Sequence, residues 1–105
     1  MTRVKFLYRH ESLYGFEITG HSSATCDDIE GKIVCSAISS AAYLTANTIT
    51  EIIGDKCDIT LDDALMCVKV IAPGEKTAAV LDGLKLHLTE LSKQYSKRIK
   101  ITTEV

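Results

Sequence analysis

The hydrophobic pattern of this chain alternates between a period of two and a helical period, and that switching constrains the fold more than any other feature. Val4, Phe6 and Tyr8 alternate with Lys5, Leu7 and Arg9, which predicts a strand. His10-Glu11-Ser12 reads as a turn, and Tyr14, Phe16 and Ile18 predict a second strand and a hairpin. Gly20 breaks the pattern. Residues 20–32 are small, polar and acidic, so they predict a long loop of the kind that often carries function. Over 33–53, Val34, Ile38, Ala41, Ala42, Thr45, Ile49, Ile52 and Ile53 recur at helical spacing, and Gly54 supplies a terminating residue. Cys57, Ile59 and Leu61 alternate, as do Ala64, Met66, Val68 and Val70, with Asp62-Asp63 as the expected turn. Pro73-Gly74 ends that strand. Thr77, Val80, Leu81, Leu84, Leu88, Leu91 and Tyr95 form the stripe of a second helix over 75–95, and Ile99 and Ile101 begin a last strand. The order ββαββαβ predicts an α+β fold: one domain over 1–105, with two helices on a mostly antiparallel sheet.

Composition narrows the function classes. With 105 residues and 46% hydrophobic content, the chain is a globular domain rather than a disordered or fibrous one. Twelve basic against fourteen acidic residues leave a net charge of −2, so no direct nucleic-acid partner is expected. Arg3, Lys5 and Arg9 interrupt the first ten residues, which do not read as a signal peptide. No apolar run approaches the ~18 residues of a membrane span. The expectation is a cytoplasmic protein with no membrane partner and no cofactor.

Four cysteines, Cys26, Cys35, Cys57 and Cys67, have spacings that match no zinc motif. His21, Cys26 and Cys35 lack a fourth ligand, so no metal is expected. The thiols are expected to be free. With an Asp62-Asp63 turn, Cys57 faces Val68 and lies on the opposite sheet face from Cys67; a one-residue slip would make the two cysteines neighbours.

The segment Gly20-His21 to Cys35-Ser36 holds the reactive side chains. A cysteine at the start of a helix meets unpaired N–H groups and the positive end of the macrodipole, which favour a thiolate. Those N–H groups, that of Cys35 among them, would also suit an oxyanion. A nearby histidine would take the thiol proton and return it to a leaving amine. The competing reading makes Cys35 a packed core residue. Asp27, Asp28 and Glu30 keep the loop soluble, orient the His21 ring or receive a basic substrate group. Ser36, Gly20 and Gly31 are candidates for supporting the oxyanion or the loop.

These residues resemble the ribosomal-processing cysteine protease (Prp) family. The resemblance rests on Gly20-His21, a Gly-containing loop, and Ile33-Val34-Cys35-Ser36-Ala37-Ile38-Ser39, with Tyr95, Ile99 and Ile101 matching the family's ending. It implies a homodimeric cytoplasmic endopeptidase that removes the N-terminal extension of a bacterial large-subunit ribosomal protein after an aromatic residue. Cys35 would be the nucleophile and His21 the general base and acid, with the loop ordering over substrate. The chain departs from the family pattern at Lys32, where an acid is usual, and in a loop about two residues longer. Two other readings are a non-catalytic ribosome-associated module of the same fold and a thioesterase.

Overall fold

The computed structural model describes residues 1–21, 25 and 27–105. The elements are β1 (Thr2–Arg9), β2 (Ser12–Thr19), α1 (Ile29–Asn47), β3 (Cys57–Asp62), β4 (Leu65–Val70), α2 (Glu75–Gln94) and β5 (Ile99–Glu104). A π-helical extension, Thr48–Ile53, continues α1. The expected ββαββαβ order holds. The five strands lie in the order β3-β4-β2-β1-β5, and β5 beside β1 is the parallel pair. Val4 and Phe6 of β1, Phe16 of β2 and Val68 and Val70 of β4 point into one core. Val34, Ile38 and Ile49 from the first helical stretch and Leu81 and Leu88 from α2 close it.

Local chemistry explains the turns. His10 and Glu11 both take positive φ, 53° and 65°, as a two-residue turn requires where its twist must match the strands. Gly54 ends the first helical stretch at φ 89°, as its residue type predicts.

Three expectations need correction. Helix α1 starts at Ile29, not Ile33, because Asp28 caps it: the Asp28 carboxylate accepts the Gly31 N–H at 3.1 Å. The β3–β4 turn is Asp63-Ala64, so Leu61 faces Met66, Ile59 faces Val68 and Cys57 faces Val70. This two-residue shift preserves the face of each side chain, so Cys57 and Cys67 remain on opposite faces. Both are free thiols, and burial pushes both thiol pKa values up. Thirdly, the helical stretch Ile29–Ile53 is long and apolar enough to cross a membrane, although no such segment was expected. Here Val34, Ile38, Ala42 and Ile49 lie in the core against the sheet.

Asp55 joins the two halves of the fold. Its carboxylate accepts the Thr77 hydroxyl at 2.5 Å and the Gly74 N–H at 3.1 Å, and so caps α2 from outside the helix. The Thr77 hydroxyl, then the Gly74 N–H, hold the Asp55 pKa below its ordinary value. A depressed carboxylate contributes stability above its unfolded pKa of about 3.9 and loses it as pH falls through the folded value. Asp55→Asn is therefore expected to lower Tm at pH 7 and flatten the Tm profile below about pH 4. Thermal melts across pH 2–7 test this, and an unchanged acid limb would assign it to other carboxylates.

Candidate active site

The end of β2, the start of β4 and one face of α1 build a single cleft of about 210 Å³. Gly20 and His21 follow β2 and form one wall. Gly20 takes φ +82°, and its N–H donates to the Ala64 carbonyl at 3.0 Å. A side chain at Gly20 would strike the Met1 carbonyl oxygen, 2.5 Å from its Cβ position. Glycine thus turns the chain and aims the exposed His21 beside the cleft. The His21 carbonyl accepts the Met1 ammonium at 2.7 Å.

Cys35, half-buried, lines the cleft from α1. Because α1 begins at Ile29, Cys35 sits well inside the helix rather than in its first turn. Its N–H belongs to the helical ladder, directed at the Gly31 carbonyl, and is not free to meet an oxyanion. Ser39 and Tyr43 follow Cys35 at successive four-residue steps, so the helix presents all three on one side, and all line the cleft. Leu61 and Asp62 at the end of β3, then Ala64, Leu65 and Met66, form the facing wall. The β3–β4 hairpin is held there by the Gly20–Ala64 hydrogen bond, with Ala64 strained at φ 56°.

The fold brings together His21, Cys35 and Gly20, but not every candidate. Among the described residues lining the cleft, Ser36, Gly31, Asp27, Asp28 and Glu30 do not occur. Ser36 is exposed on another side of α1, and Gly31 is buried in the helix. Asp28 and Glu30 meet Arg98 at the entry to β5: Arg98 bonds both Asp28 oxygens, at 2.6 and 3.0 Å, and Glu30 at 3.2 Å. That fork-shaped contact, with the Asp28 cap, ties the start of α1 to the far edge of the sheet. The Asp28 hydrogen bonds lead the rise in the Arg98 pKa. Asp27 and Lys32 are exposed. Cys26 lies outside the described residues. No metal-binding cluster occurs among the described residues.

Sequence reasoning missed Ser39, Tyr43, Leu61 and Leu65. The four-residue spacing from Cys35 was a signal for the first two. The hairpin residues had none, because their approach to α1 is a matter of packing.

Comparison with known proteins places this architecture. Residues 1–100 match the family described as cysteine protease Prp. The chain belongs to the cysteine protease Prp family. The Prp ribosomal processing protease of S. aureus, solved with a substrate peptide, matches with a TM-score of 0.88 at 18% identity, covering 99% of this chain and 100% of that one. The same S. aureus protein with a covalently linked product peptide gives 0.86 at 18% identity over the same shares. SMU.848 from Streptococcus mutans gives 0.83 at 22% identity, covering 99% of this chain and 96% of that one. No match was found among curated proteins. The likeness to these structures is one of fold, the α+β domain described above.

Proposed function

We propose that this chain is a cysteine endopeptidase that removes the N-terminal extension of a bacterial large-subunit ribosomal protein through a Cys35–His21 dyad. One observation carries the reading: in a chain of the cysteine protease Prp family, the same cleft holds His21 and Cys35. The imidazole of His21 takes the Cys35 thiol proton as sulfur attacks the scissile carbonyl carbon. His21 then gives that proton to the leaving amine, and a thioester remains on Cys35. Water, deprotonated by His21, attacks the thioester and releases the carboxyl product and the thiol. The Ser39 hydroxyl, one helical turn beyond Cys35, lines the same cleft and is available as a donor to the developing oxyanion.

The protein acts in the cytoplasm as a homodimer in this reading. Ala37, Ser40 and Ala41 line a shallow groove between α1 and α2 beside the exposed Leu44, a surface suited to close approach of a second copy. The test is the intact mass of the ribosomal-protein precursor after incubation with this protein under reducing conditions. A discrete N-terminal loss is the expected result. An unchanged precursor that nonetheless co-purifies with the protein would favour the non-catalytic module, and faster turnover of a small thioester would favour the thioesterase.

A further inference from the structure

The strand β3 is the outermost of the sheet on the cleft side: it pairs with β4 and with no other described strand. The Ile71 N–H donates to the Lys56 carbonyl at 3.0 Å, just before β3 begins. In the observed register these two residues stand opposite each other, so the hydrogen-bonded pairs fall at Asp58, Thr60 and Asp62. The backbone N–H and C=O groups of Cys57, Ile59 and Leu61 therefore point away from β4, along an open edge. Native sheets usually protect such an edge.

The side chains of those outward-bonding residues lie on the face of Val70, Val68 and Met66; Cys57 packs half-buried against the core, whereas Ile59 and Leu61 stay exposed. Ile59 is 39% exposed and Leu61 55%. The far end of the edge is also a wall of the candidate active site, since Leu61 and Asp62 line the cleft with Tyr43, His21 and Cys35. Exposed carboxylates at Asp58, Asp62 and Asp63 run along the strand and its turn, and none forms an ion pair with a described residue. Lys69 stands across from Asp58, which leaves the cleft end of the edge the more acidic.

We propose that the free edge of β3 is the rail on which the substrate peptide lies, as an extended sixth strand with a lysine or arginine beside Asp62 and Asp63. Alternate peptide N–H and C=O groups pair with Cys57, Ile59 and Leu61, apolar side chains pack on Ile59 and Leu61, and the chain runs on past Cys35. This deepens the peptidase reading and rests on it for the identity of the peptide.

The experiment measures binding rather than cleavage. A labelled synthetic peptide of the ribosomal-protein extension is titrated into Cys35→Ala and into Cys35→Ala with Ile59→Pro. Proline at Ile59 deletes an outward N–H and leaves the β4 ladder intact, as edge positions tolerate. Affinity is expected to fall about tenfold, with Tm kept within a few degrees. Single N-methylation along the peptide should weaken binding at alternate residues, and lysine-to-glutamine peptides should bind more weakly. Equal binding by the proline variant, or tolerance of N-methylation at every position, would overturn the proposal. So would a proline variant that loses only its dimer in sedimentation, which would assign the edge to a second copy. Binding with this alternate pattern, together with an uncleaved precursor in the wild type, would keep the rail and sink the peptidase.

Discussion

Cys35→Ala is expected to abolish cleavage of the ribosomal-protein precursor while leaving the domain folded. The loss is large because no other group can replace the attacking sulfur; removal of a nucleophile costs on the order of 10⁴-fold or more in kcat. Cys57 and Cys67 do not line the cleft, and burial pushes both thiol pKa values up, away from the nucleophilic thiolate. The fold should tolerate the change, because Cys35 is half-buried within α1 and alanine is the best helix former. Stability should stay within about 1 kcal/mol of wild type. Single-turnover cleavage and a thermal melt on the same sample measure both outcomes. His21→Ala should cost a similar factor, and the double variant little more, since the two side chains act as one unit. Retained cleavage in Cys35→Ala would sink the dyad. Loss of cleavage with a collapsed melt would show that Cys35 serves packing, as its alternative reading holds.

Gly15→Ala is expected to have the largest effect on stability. Gly15 is buried in β2 between Leu7 of β1 and Lys69 of β4. A methyl group there would sit 2.2 Å from the Val68 carbonyl oxygen and 3.1 Å from the Lys69 Cα. The obstacle is backbone, and β4 is held from both sides by β2 and β3, so it cannot simply retreat. Overpacking of this kind costs about 3 kcal/mol, which for a domain of this size lowers Tm by roughly 12–24 °C. Urea unfolding gives the free energy directly. A loss below about 1 kcal/mol would mean that the sheet opens locally, for which the irregular register at Leu7/Tyr8 on the neighbouring strand offers a place.

The start of α1 shows how local signals and long-range contacts divide the work. Asp28 is a good capping residue in isolation, but the acidic stretch 27–30 also reads as loop, and nothing nearby selects between them. The selection comes from Arg98, seventy positions away, which grips Asp28 and Glu30. The β3–β4 turn behaves likewise. Asp62-Asp63 is the better local turn, whereas the observed turn puts Ala64 in a conformation that alanine disfavours. Pairing of β4 with β2 and the Gly20–Ala64 bond override that preference. The order ββαββαβ, the core faces and the candidacy of His21 and Cys35 were determined by the sequence alone, because periodicity and side-chain chemistry are properties of neighbouring residues. The true start of α1, the placing of Cys35 inside the helix, and the cleft walls at Ser39, Tyr43, Leu61 and Leu65 were decided only by the tertiary structure. Each depends on the approach of segments far apart in the chain, and no local pattern records that distance.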